Sequence, residues 1–274
     1  MSQKHERGVG GTGETPANTA DSAGTPWAGR DLKPNPFSGD TGEADQELLD
    51  ALAAVHANPF EPALHQQVIG ALREKRVYAP VLPTAVEHTT DERGLVHDNK
   101  SEMAMVRLAA ADGRECTPAF TDIPALTGWH AKARPVPTQA ERLGAAAVEE
   151  GAQLVVLDPG SDRAFLIRRP ALWAWLQGKD WTPAWANPQV VNAVAQVAGR
   201  HSWIESVAVG VGSANVVTSG PEVSLTVRVN REPQPQEVQA FNGELSQTEH
   251  VVELVDSLTM GFTDAQSFTD APRA

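Results

Sequence analysis

The chain has a single cysteine, a single tyrosine, no lysine beyond Lys179, and no apolar run long enough to cross a bilayer. One cysteine, Cys116, excludes an intramolecular disulfide, and its strand-like surroundings suit a small buried hydrophobe in a reducing compartment better than a nucleophile. Positive charge is also scarce: 22 basic against 35 acidic side chains leave −13. A phosphate-tracking surface needs clustered Lys and Arg, so nucleic acid and anionic lipid are disfavoured partners. Residues 184–274 sharpen the bias, with 4 basic and 10 acidic groups. Near the N-terminus, Lys4 and Arg7 lead into Gly, Thr, Asn, Asp and Glu rather than an apolar core, which predicts neither a signal peptide nor a membrane segment and hence a cytoplasmic protein. Phosphate-loop, nucleophile-elbow and H-E-x-x-H patterns are missing from all 274 residues.

What is present is enough apolar material, 41% of the chain, to bury a sizeable core. Residues 1–26 hold only Val9 as a branched apolar side chain and read as a disordered tail. Residues 27–45 differ, because Trp27 and Phe37 flank a polar loop containing Arg30; this segment is expected to dock its rings on the N-terminal domain. Helices are predicted from about Asp45, with Leu48, Leu49, Leu52 and Val55 on one face, and from about Pro62, with Leu64, Val68, Ile69 and Leu72. Val77 to Leu82 reads as a buried strand interrupted by Pro80. The turn Asp112-Gly113 joins Met103–Ala110 and Arg114–Phe120 as a hairpin. Asp122 and Pro124 then open a short helix ending near Trp129, followed by an extended exit. Thr138 is expected to cap a helix through Glu150, ended by Gly151. A second hairpin, Leu154–Leu157 with Ala164–Arg168, turns at Asp158-Pro159-Gly160-Ser161, and Pro170 begins another short helix.

Residues 181–187 read as a linker between domains at 46–180 and 188–262, with a frayed end at 263–274. The second domain has a helix from Pro188, strands at Trp203–Val209 and Val223–Val229, a helix from about Gln234, and strands at Val251–Val255 and Leu258–Phe262. Alternation is clearest where Val223, Leu225, Val227 and Val229 share a face. The fold class expected is therefore α+β, with two mixed domains.

Candidate chemistry is thin. The glycines of Gly210-Val211-Gly212-Ser213 follow a strand but no helix starts after them, so they suit a strand connection better than a phosphate loop. His88, Asp91, Glu92, His97 and Asp98 crowd a polar loop without the spacing of a known metal frame, and no metal or cofactor is expected. His56 and His65 are expected to cap helices or face water, and Glu149 and Glu150, adjacent on a helix, point apart. No catalytic set emerges. The densest signal is Trp173, Trp175, Trp181 and Trp185, four indoles within thirteen residues. Such a cluster packs a core, an interdomain seam or a recognition groove. Arg168 and Arg169 beside it would stack on an exposed indole or anchor a carboxylate.

The segments Trp27-Ala28-Gly29-Arg30, Asn35-Pro36-Phe37, Ala119-Phe120-Thr121-Asp122, Trp129, Arg134-Pro135-Val136-Pro137 and Asp158-Pro159-Gly160, taken in order, resemble the SseB family in its actinobacterial form. The resemblance spans roughly residues 27–262 and implies an N-terminal and a C-terminal SseB domain in a bacterial protein. It transfers no catalytic residue. A non-enzymatic interaction or regulatory protein with a protein partner is the first functional expectation. The alternative is a module that binds a small molecule or peptide in a tryptophan-lined interdomain groove.

Overall fold

The computed structural model describes residues 36–82, 89–90, 96–97 and 106–264, with backbone alone at 89–90 and 96–97. The described residues divide into two units between Asp40 and Thr41. In the first, residues 36–39 make a turn in which the Asp40 N–H donates to the Phe37 carbonyl at 3.1 Å, and Phe37 is half-buried. Residues 1–26, Trp27, Arg30 and the side chains of the His88–Asp98 loop lie outside the described residues.

The second unit opens with α1 (Gln46–Ala57), whose N-terminal N–H of Leu48 is taken by the Asp45 side chain at 3.2 Å. Its buried stripe is Leu48, Ala51, Leu52 and Val55, and α2 (Pro62–Ala71) packs Val68 and Ile69 beside it. The strands β1 (Arg76–Val81), β2 (Thr89–Thr90), β3 (Val96–His97), β4 (Leu108–Ala109) and β5 (Glu115–Ala119) follow. β2 pairs with β3, and β4 with β5, both antiparallel. Next come α3 (Ile123–Trp129), β6 (Arg134–Gln139), α4 (Ala140–Glu149), β7 (Leu154–Leu157), β8 (Phe165–Ile167) and α5 (Arg169–Leu176). The helix expected to be capped by Thr138 starts later: residues 134–139 remain extended because they pair antiparallel with β1 along its whole length, with Pro80 opposite Pro135. Two prolines facing each other forfeit a ladder bond only where none is needed.

β4, β5, β7 and β8 form one sheet in that order, β5 and β7 running parallel. Tyr78 of β1 exchanges backbone bonds with Phe120 just past β5, at 2.8 and 3.0 Å, which carries the β1–β6 pair onto the same sheet edge. Cross-strand register divides the sheet into two faces. Thr117, Ala119, Val155, Leu157, Phe165 and Ile167 share the face on which the helices build the core. Leu108, Cys116, Leu154, Val156 and Leu166 share the other.

A 3₁₀ turn at Ala184–Ala186 leads to α6 (Pro188–Ala198), with Asn187 Oδ1 accepting from the Gln189 N–H at 2.9 Å. Then come β9 (Ile204–Val211), β10 (Val223–Val229), α7 (Pro235–Leu245), α8 (Glu249–Leu254) and β11 (Leu258–Asp264). β10 is the centre strand, antiparallel to β9 and parallel to β11. The expected alternation holds, since Val223, Leu225, Val227 and Val229 are all buried while Thr226 faces solvent. Where a strand is expected over Val251–Val255, residues 251–254 are instead helix α8, with Val251 buried and Val252 exposed at 45%, and Val255 is buried just past its end. A parallel β10–β11 pair needs a crossover, and α7 with α8 supplies it.

The fold is α+β. One continuous cluster of buried side chains runs from Leu48 and Leu52 through Trp175 and Trp185 to Val194, Leu225 and Phe241, so the N-terminal and C-terminal halves of the second unit share a core.

Candidate functional site

The described residues bring no catalytic grouping together, and no group of three or more His, Cys, Asp or Glu among them is placed to hold a metal ion. They do bring together a pocket of about 610 Å³. Its floor is the second face of the four-stranded sheet: Leu108, Cys116, Leu154, Val156 and Leu166. Part of its wall comes from residues 218–221 and from Ser257 and Leu258, where the chain enters β11. The run Leu154-Val155-Val156-Leu157 is apolar on both faces, as strands buried on both sides are. Here one face meets helices and the other meets the pocket.

A charged seam braces the pocket wall. The Arg114 guanidinium reaches Asp256 in a two-pronged pair, both bonds at 2.8 Å, while its Nε donates to Asp112 at 2.8 Å. Arg168 Nη1 lies 3.4 Å from the same Asp256 carboxylate, and its Nη2 donates to the Val216 carbonyl at 3.0 Å. Arg169 donates to the carbonyls of Val252 and Val255 at 2.6 and 2.8 Å, at the end of α8. Burial alone would push the Asp256 carboxyl up; the bonds and charge of Arg114 outweigh it and hold the group below its usual range. Glu222, fully buried, accepts from the backbone N–H of Ala184 at 3.0 Å and of Asp256 at 2.8 Å. Its burial raises its pKa. The pocket therefore has both of its wall charges engaged, Arg168 by Asp256 and Asp112 by Arg114.

The tryptophans divide among environments. Trp175 (3% exposed) and Trp185 (9%) are core residues; Trp175 packs over Gly144, where an added Cβ would meet its ring at 3.0 Å. Trp181 is half-buried and Trp173 is 45% exposed. These last two, with Arg169, Lys179, Asp180 and Gln189, line a separate groove of about 660 Å³ on the outer side of α5. Arg168 and Arg169 thus act as carboxylate and carbonyl anchors between the halves, and Trp175 and Trp185 as packing.

Other singled-out residues have structural positions. Burial raises the Cys116 thiol to about 12, so it faces the pocket as a neutral group. His56 and His65 neither cap their helices nor face water alone: His56 Nε2 lies 3.0 Å from the Ala164 carbonyl, and His65, 3% exposed, has Nε2 2.8 Å from the Pro59 carbonyl. Burial lowers the His65 pKa. Gly212 sits so close to the neighbouring strand that a Cβ would lie 2.6 Å from the Pro221 oxygen, which accounts for the glycine without a phosphate.

Of two further residues of consequence, the sequence shows Asp158 only as a turn residue and gives no signal of Asp256. Asp158, fully buried with φ of 43°, accepts from the Thr121 N–H and hydroxyl at 2.8 and 2.7 Å and ties the β7–β8 turn to the end of β5. Asp256 lies 142 positions from Arg114. No described helix is long and apolar enough to cross a membrane.

Neither the curated proteins nor the solved structures include a match to this chain. Residues 48–174, which run from within α1 into α5 and include the whole sheet floor of the pocket, match the family model described as SseB protein N-terminal domain, and it is to that domain that this half of the molecule is similar.

Proposed function

We propose that the chain is a non-enzymatic cytoplasmic binding protein of the SseB family, in its actinobacterial form, with residues 188–262 as the C-terminal domain of that family. Its pocket between the halves holds an uncharged apolar small molecule or side chain. The observation that carries this reading is the pocket of about 610 Å³ floored by Leu108, Cys116, Leu154, Val156 and Leu166. That volume lies within the range of small-molecule sites, and its wall is apolar with a few polar groups at the rim, as such sites are. The paired state of Arg168 and Asp112 argues for the ligand's neutrality, since a charged group entering here would find no unengaged counter-charge in the wall. The neutral Cys116 thiol in its floor supports binding over thiol catalysis there.

Native mass spectrometry of the protein isolated from its own host tests the reading. A stoichiometric adduct that organic solvent extracts, and that Val156→Arg abolishes, is the expected result; adducts unaffected by that substitution would count against the pocket. Interaction with a protein partner is the second reading, and it rests on the exposed Trp173 in the separate groove with Arg169 and Lys179.

A further inference from the structure

Four buried indole N–H groups, those of Trp175, Trp181, Trp185 and Trp203, have no hydrogen-bond partner among the described residues. An unpaired buried donor carries the full cost of its desolvation, so each calls for an account. Two of the four differ from the others in what they border. Trp181 and Trp185 line a cavity of about 10 Å³ together with His65, Arg168 and Glu222, and Phe165, Leu166, Ala171 and Val216 complete its wall. Trp175 and Trp203 do not line it.

The cavity has the size of about one solvent sphere, and its largely apolar wall carries polar groups at His65, Arg168, Glu222 and the two indoles, as a site for a buried water requires. Its wall also offers acceptors. Glu222 uses one lone pair of each oxygen on the N–H groups of Ala184 and Asp256, which leaves further acceptor capacity on both. His65 is held neutral by burial, and with Nε2 donating to the Pro59 carbonyl its Nδ1 is an acceptor.

We infer that this cavity is a hydration site for one water molecule, which accepts from the Trp185 indole N–H and donates to the Glu222 carboxyl. The water joins the 3₁₀ turn carrying Trp185 to the chain before β10 carrying Glu222. His65 of α2 and Arg168, which opens α5, form the remaining polar wall, so the site lies where the two halves meet. Arg168 and Leu166 border both this cavity and the 610 Å³ pocket, but the hydration site does not depend on what the larger pocket holds.

Solution NMR on the full chain tests this directly, because a water held for longer than about a nanosecond gives a cross-relaxation peak of distinctive sign to a neighbouring proton. The four indole N–H resonances are assigned by through-bond correlation, without substitutions. A strong water peak at Trp185, with Trp175 and Trp203 silent or markedly weaker, is the expected result; these two serve as buried, equally unpaired controls. Silence at Trp185, or a peak there no stronger than at Trp175 and Trp203, would overturn the proposal. Trp181 is not the deciding probe, since it also borders the open groove beside α5.

Discussion

At the scale of single residues, buried ion pairs join the two halves alongside the apolar core they share. Asp256, its side chain fully buried, is engaged by two guanidinium groups, and removing one partner of a buried ion pair typically costs about 3–5 kcal/mol because the other charge is left unpaired. Asp256→Ala should accordingly lower unfolding stability by about that amount in urea titration, whereas an exposed acidic residue such as Glu253 should tolerate alanine within about 0.5 kcal/mol. His65 gives a pH signature. Its folded pKa lies below the ordinary 6.5, so the folded state disfavours the proton, and the stability it contributes is fully present above pH 6.5 and declines as pH falls from 6.5 through the folded value. The stability difference between wild type and His65→Gln should thus shrink on acidification below pH 6.5; a difference that grows would contradict the buried neutral imidazole. The sequence shows Arg168 and Arg169 as candidate carboxylate anchors, but not Asp256, because a partner so far along the chain leaves no local pattern. The tryptophan run advertises burial without saying which indoles are buried: α5 turns Trp175 inward and leaves Trp173, two positions earlier, outside.

Elements bounded by turn and capping chemistry were the legible ones. Asp45 and Asp122 take backbone N–H groups as their positions before α1 and α3 suggest, and Gly113 and Gly151 sit at φ of 84° and 86° where a hairpin and a helix end need them. Asp122 also meets Arg163 at 3.2 Å, so Asp122→Ala should cost about 1 kcal/mol or somewhat more in thermal unfolding. Less legible were segments whose state depends on a distant partner. Residues 134–139 are extended because β1 pairs with them, which no cap at Thr138 reveals. Val251–Val255 is rich in β-branched residues, yet the chain must cross from β10 to a parallel β11, and helix α8 with the residue after it buries Val251 and Val255. Gly212, just past β9, packs against backbone at Pro221 and Val223: Gly212→Ala should destabilise by more than about 1 kcal/mol, while Gly113→Ala, which meets no atom within 4 Å, carries only the backbone strain of its positive φ.

For the whole molecule, the sequence suggests two domains joined at residues 181–187, and one buried cluster passes through Ala184 and Trp185 of that junction and takes in side chains from both halves. A core shared in this way should unfold in one step, with tryptophan fluorescence and far-ultraviolet circular dichroism giving coincident urea transitions. The pocket is a feature of this scale too. Its floor belongs to the half similar to the SseB N-terminal domain and part of its wall to the other half, so no single motif announces it. Fluorescence titration with N-phenyl-1-naphthylamine, an uncharged apolar probe, is the most direct test that this pocket is a binding site. Wild type and Trp173→Ala should both give saturable one-to-one binding, and Val156→Arg, with its fold verified by circular dichroism, should lose it. Undiminished binding by Val156→Arg, or no saturable binding by wild type, would contradict the account.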